Sequence, residues 1–387
     1  GVTASQQQQQ QQQDVRRPGR QASEGMSDWS ADSSAELEDA AAAAHAVSAL
    51  GTLSKGFTHA SAREVAPLFA SSLEAALQTA VAFPSSSELR GRVLMLLHRM
   101  VECLGEGSLA YLSSALPALL RDARGTELHE VVTLVNQVVA KFKARAHGLM
   151  VDLLPVVTTS LFESLGQGPL PGAMPPGTPV SESERERILL LRYYLSCIHG
   201  LVHNSLEEVL LAPSNQAGLD SLLGVMLKGC VDAPDPAMQK QCVSVLHRLV
   251  DHWAKGEPDC DSAAVPNGAT KADGATRIPG FDEYALSHVA PALLRALLHP
   301  YLDTKDASAM GLLEALAAAQ QALYGALGAR YTGYLLENAL PAVGCPPDLA
   351  NPYIQHVASG TPNQRPVAFR DFLRTFVERF HASSRQG

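Results

Sequence analysis

"LVNQVVAKFKARAH", residues 134–147, opens on Leu134, Val135, Val138, Val139 and Phe142. These apolar positions recur at the three- and four-residue spacing of one helix face. Lys141, Lys143 and Arg145 then fall at alternate positions, with His147 just beyond. Two readings of the cluster stand open. It is the polar end of a core helix, where cations are favoured by about 0.3–1 kcal/mol and lysine stems cover apolar neighbours. Or it is the place where a polyanion is held. On a continuous helix each residue turns by about 100°, so positions 141, 143 and 145 fan over a wide arc. Lys141 and Arg145, four apart, then share a face, and Lys143 lies on its flank.

Working outward, helical periodicity begins near Ala35 and hardly stops. The pattern predicts helices over 36–54, 62–82, 86–104, 108–122, 126–145, 148–165, 182–203, 215–232, 235–254, 281–299, 304–328, 330–343, 346–358 and 364–381. Start signals support several. Ser85-x-x-Glu88 and Ser181-x-x-Glu184 have capping-box form. Asp235-Pro236 sets an acceptor before a proline suited to the first turn. Asp303-x-x-Asp306 places carboxylates at a positive helix end. Helix pairs recur over 62–104, 108–145, 148–203, 215–254 and 281–328. That period, roughly 40 residues, is the length of HEAT or armadillo units. The fold expected is all-α, a HEAT-repeat α-solenoid of antiparallel helix pairs, with a compact helical bundle as the competing architecture.

Composition agrees. Of 387 residues 46% are hydrophobic, 5% aromatic and 18% charged, and the dominance of Leu and Ala favours helix over strand. Residues 1–34, which include the run "QQQQQQQQ", are expected to be disordered, because so polar a segment buries too little to offset its ordering entropy. Residues 35–387 hold the repeats, interrupted by a Gly/Pro-rich loop at 166–183 and a polar insertion at 255–280. Loops of that length are expected to be mobile excursions. Six cysteines form no C-x-x-C pair and read as reduced thiols of an intracellular protein. No uncharged apolar stretch is long enough to suggest membrane insertion.

The net charge, −9, argues against nucleic-acid binding by the whole surface, so a polyanion site must be a local basic patch. His129-Glu130 is not followed by a second histidine at metalloprotease spacing, because Thr133 stands there. "GQGPLPG" has the wrong spacing for a phosphate loop and follows no strand. The sequence offers no catalytic set, no metal site and no cofactor.

Several segments, in one order, resemble the exportin-T family, tRNA export receptors of the importin-β superfamily. They are "LSKGF" (53–57), "LLHRMVECLGEGSLAYLSSALPALL" (96–120), "LVNQVVAKFKARAHGLMVDLLPVV" (134–157), "PDPAMQKQCVSVLHRLVDHW" (234–253), "GFDEYALSHVAPALLRALL" (280–298), "LLENALPAV" (335–343) and "RDFLRTFVERFH" (370–381). The resemblance covers the chain from about residue 50 and matches the family's C-terminal third. It implies a superhelix of HEAT repeats and a monomer that shuttles between nucleus and cytoplasm through the nuclear pore, touching pore proteins. It implies tRNA as cargo, held by shape and backbone, together with Ran-GTP, which the family grips mainly through N-terminal repeats missing here. The tRNA-binding candidates are then Lys141, Arg145 and Lys143, then Arg92 and Arg99, seven apart on the preceding pair, and Lys55 in "LSKGF". Arg90 belongs to the same positive group as Arg92 and Arg99, and Lys55 and Lys240 are weaker. Arg370, Arg374 and Arg379 equally suit the polar face of a capping helix. The reading without RNA is a HEAT scaffold, or another karyopherin, that binds only protein.

Overall fold

The computed structural model describes residues 24–175, 177–254, 278–360 and 366–384. They fall into two compact units, Gly1–Gly105 and Glu106–Gly387. Among the described residues every regular element is helical.

The first unit holds α1 (Glu24–Ser54), α2 (Ala66–Ala82) and α3 (Ser87–Leu104). α1 starts inside the segment expected to be disordered; residues 1–23 lie outside the described ones. Residues 26–35 contain neither Gly nor Pro, and extending an existing helix needs no new nucleus. α3 packs against both α1 and α2. It buries Leu89, Val93, Leu96, Leu97, Met100 and Val101. Its cap is Ser86, which accepts from the Leu89 N–H at 3.3 Å, one residue later than the capping-box pattern placed it.

The second unit is a stack of helix pairs. α4 (Leu109–Asp122), α6 (His147–Leu165), α9 (Leu219–Asp232) and α12 (Ala290–Leu297) supply one row. α5 (Thr126–Phe142), α7 (Glu182–His203), α10 (Pro236–Leu249), α13 (Ala307–Leu327) and α17 (Val367–Ser384) supply the other. α5 touches α7, α7 touches α10, α10 touches α13, and α13 touches α17. In the first row α4 touches α6 and α9 touches α12, while a 3₁₀ turn, Glu207–Leu211, and the short α8 (Pro213–Gln216) pack on α6. Between α10 and α13 the short α11 (Phe281–Tyr284) leads into α12, and α14 (Ala329–Tyr334), α15 (Leu340–Ala342) and α16 (Pro347–Ala358) follow α13. This is the α-solenoid with HEAT-type pairs that the periodicity predicts, each pair burying its apolar faces on its neighbours.

Prolines recur in three first-row helices, α4, α6 and α12, and in the short α15, while α9 has none. "SALPALL" (114–120), "DLLPVVT" (152–158), "VAPALLR" (289–295) and "NALPAVG" (338–344) each carry a proline at matching depth: Pro117, Pro155, Pro291 and Pro341. A helix-internal proline leaves the carbonyl four residues back without its helical partner. For Pro155 that is the Val151 carbonyl, which accepts from Ser214 Oγ at 3.2 Å and Asn215 Nδ2 at 3.3 Å. The turns ahead of Pro291 and Pro341 widen instead into π-helix, Ala285–Val289 and Leu335–Ala339.

The loop at 166–183 is tied down rather than excursive. Arg187 donates from Nε to the Leu165 carbonyl at 3.1 Å and from Nη2 to the Pro169 carbonyl at 2.6 Å. The Ala173 N–H donates to Asp232, and Gly172 leaves room for that carboxylate, whose Oδ2 would lie 2.7 Å from a Cβ there. Burial pushes the Cys197 and Cys230 thiols up to about 12, so both pack as protonated, apolar groups. The helical run Glu127–Leu165 is long and apolar enough to pass for a membrane span by length and composition. It is broken at Lys143, and α5 and α6 pack against α7.

The expected insertion falls mostly outside the described residues, at 255–277. Its flanks meet: the Ile278 N–H donates to the Trp253 carbonyl at 3.1 Å. Deleting residues 258–277 should therefore leave the thermal unfolding midpoint within a few degrees of the parent. A large drop on calorimetry would mean that the insertion packs on the repeats.

Candidate nucleic-acid interface

The sequence candidates divide between the two units. In the second, α5 does not reach residue 145. It ends at Phe142, and Lys143 turns to φ 48°, ψ −126°. A 3₁₀ turn, Lys143–Ala146, then leads directly into α6. The expected four-residue face shared by Lys141 and Arg145 is therefore broken between them. All three cations are exposed, and His147 is half-buried at the start of α6.

The turn has counterparts. Gly105 after α3 has φ 56°, ψ −134°, and Gly328 after α13 has φ 55°, ψ −131°. This is the conformation of the first central residue of a type II′ turn, where glycine dominates. "GEG" (105–107), "KAR" (143–145) and "GAR" (328–330) thus align. Arg145 pairs with Glu106, the two side chains being 67% and 51% exposed. Arg330 pairs in the same way with Asp282 at 3.1 Å and with Glu283. Its hydrogen bond holds the Asp282 carboxyl below the usual range. In both cases an arginine in one turn reaches an acid at the start of the preceding pair. Arg145 thereby has an intramolecular partner, although so exposed a pair contributes at most about 1 kcal/mol.

Lys143 is different. It adopts a glycine conformation with a side chain, at a cost on the order of 1–3 kcal/mol. Among the described residues Ser205, φ 59°, is the other non-glycine with positive φ. Among the described residues no carboxylate pairs with Lys143. Asn136, just upstream, is a structural amide: its Nδ2 donates to Ser196 Oγ on α7 at 3.3 Å.

In the first unit Arg99 is held by the protein's own backbone. Its Nη2 donates to the Ser54 carbonyl at 2.9 Å and the Phe57 carbonyl at 3.2 Å, closing the end of α1. Arg92 pairs with Glu88 at 3.5 Å, one turn back. Lys55 is exposed beyond the last turn of α1. Among the described residues no group of three or more His, Cys, Asp or Glu is placed to hold a metal ion.

The family model described as Exportin-T matches residues 7–381, nearly the whole chain. The chain belongs to the exportin-T family. Exportin-T of Arabidopsis thaliana is 29% identical over 315 residues, covering 80% of this chain and 30% of the relative. That of Mycosarcoma maydis is 28% identical over 341 residues, 87% of this chain and 29% of the relative. The Mus musculus protein is 26% identical over 293 residues, 75% and 27%. This chain thus spans about 30% of the length of these exportin-T relatives.

Arg99→Ala should lower stability by about 1.5–3 kcal/mol, the range for hydrogen bonds from a charged donor, and leave RNA affinity unchanged. Denaturant unfolding alongside RNA titration checks this. An equally stable variant with weaker RNA binding would return Arg99 to the interface.

Proposed function

We propose that this chain is the C-terminal part of a Ran-GTP-dependent nuclear export receptor for tRNA. It shuttles between nucleus and cytoplasm and contacts pore proteins on the way. The observation that carries this reading is membership of the exportin-T family, joined to an exposed basic turn on an acidic chain. A folded RNA is held by phosphate and 2′-hydroxyl contacts rather than by base edges in its deep groove. Lys141, Lys143 and Arg145 supply donors at one junction between helix pairs. In this reading the stacked pairs form part of a cradle and recognise tRNA by shape and backbone, with Ran-GTP gripped mainly by repeats elsewhere in the longer protein.

A second reading, a scaffold for protein alone, is favoured by the exposed apolar side chains of the first unit. Leu37, Leu53, Leu68 and Val81 are 67–75% exposed, and apolar surface of this kind marks protein contacts when it is contiguous.

The deciding experiment titrates labelled mature tRNA against the full-length protein, with and without Ran-GTP, at two salt concentrations. The export reading expects binding that needs Ran-GTP and weakens steeply with salt. Lys141→Glu should weaken it further without lowering the unfolding midpoint. Absence of tRNA binding under every condition would leave the protein-scaffold reading.

A further inference from the structure

In the larger unit second-row helices touch one another from α5 to α17, and in the first row α4 touches α6 and α9 touches α12. Between α6 and α9 the row is filled differently. The turn Glu207–Leu211 and α8 pack on α6, and a cleft of about 560 Å³, part of it open to solvent, remains between them and α9. Leu154, Thr158 and Thr159 line it from α6, Leu219 and Leu222 line it from α9, and the buried Tyr194 of α7 closes its bottom.

Each side of the cleft is firmly built. Phe162 of α6 packs edge-on against Tyr194 of α7, with ring centroids 5.1 Å apart. Ser214 and Asn215 hold α8 to the Val151 carbonyl of α6, so α8 moves with the α6–α7 pair. On the other side, a Cβ at Gly229 of α9 would collide with Cys242 Sγ of α10, so α9 and α10 move together. The two pairs are joined in the second row, where α7 packs on α10 and Arg192 Nη2 donates to Asp235 Oδ2 at 2.7 Å. In the first row the chain passes from α8 to α9 through Ala217 and Gly218 alone, and at the far end of α9 the Ala173 N–H reaches Asp232 from a loop.

Firm contact along one row and a cleft along the other is the arrangement of a hinge. Closely packed interiors resist deformation, so angular change collects where packing is already interrupted. The walls suit two positions. Opening exposes the Thr158 and Thr159 hydroxyls and the Asn215 amide, which hydrate readily. Closing buries more of Leu154, Leu219 and Leu222. We infer that the α9–α10 pair rocks against the α6–α7 pair about the α7–α10 contact, opening and closing this cleft, and that this junction is where the larger unit changes angle. The joint is a property of the packing and is the same whether the partner is RNA or protein.

The test measures distances between pairs of spin labels in the full-length protein. The labels are carried on p-acetylphenylalanine, so that the native cysteines are left alone. One pair, at the exposed positions Glu163 and Ser221, spans the cleft; a second, Ser221 and Arg295, spans the direct contact of α9 with α12; a third, His203 and Lys240, spans the second row. The distance distribution across the cleft should be about twice as wide as either of the others, or split in two, as expected for hinge motion confined to one junction. Thr159→Trp, which fills the mouth of the cleft, should narrow that distribution and leave the other two as they are. A cleft pair no broader than the α9–α12 pair would overturn the inference. So would equal broadening of all three pairs, since the flexibility would then belong to the stack at large. An unchanged width in a folded Thr159→Trp would overturn it as well, because the motion would not pass through the cleft.

Discussion

Second-row helices carry apolar side chains over a wide arc, and everything else in the larger unit depends on covering it. In α10 two adjoining stripes are buried, Met238–Cys242–Val245–Leu249 and Gln239–Val243–Leu246–Val250. Each large aliphatic side chain contributes roughly 1.5–3 kcal/mol when buried. A helix that left one stripe bare would forgo far more than a cap or an exposed ion pair returns, each about 1 kcal/mol. So α10 needs α9 beside it, α7 on one flank and α13 on the other. At Gly229 of α9 the approach is so close that a Cβ would collide with Cys242 Sγ. The same demand, repeated from α5 to α17, makes a stack.

Turns between pairs are subordinate to that stack. The helices fix where one pair ends and the next begins, and the connecting residue must adopt whatever φ closes the gap. Glycine meets that demand twice without steric cost. Lys143 meets it with strain, in a turn that already displays two other cations. The first-row prolines show the same order of priorities. Helical bonding is interrupted at Pro155, and Ser214 and Asn215 take up the freed carbonyl. At Pro291 and Pro341 the helix widens by one residue instead.

The helices and their pairing were legible because they rest on periodicity, which needs no knowledge of the neighbours. The capping residues Ser181 and Asp235 were legible too, and each accepts the backbone bond its position implies; the start of α13 was not, since its cap is Asp306, three residues beyond the Asp303 that the pattern points to. The end of α5 was not legible. "KFKARA" holds no glycine or proline, so local propensity continues the helix to 145, and only docking of α6 stops it. The roles of Arg99 and Arg145 were hidden for a related reason. Their partners lie 45 and 39 residues away in sequence, a distance over which a charge pattern carries no information. The alignment of "KAR" with "GAR" was available in the sequence, but it becomes a signal only once the turn geometry is known. The tie of the 166–183 loop to Asp232 was likewise invisible, because composition cannot distinguish a loose Gly/Pro segment from one packed on a neighbouring helix end.

The central claim is that the turn between α5 and α6 lies against tRNA. Hydrogen exchange on the full-length protein, alone and with Ran-GTP and tRNA, tests it most directly. The account predicts that amides from about residue 140 to 150 become slower only when tRNA is added to the Ran-GTP complex. If those amides exchange at the same rate with and without tRNA while others gain protection, the RNA sits elsewhere on the protein. The basic cluster would then be the polar end of a core helix.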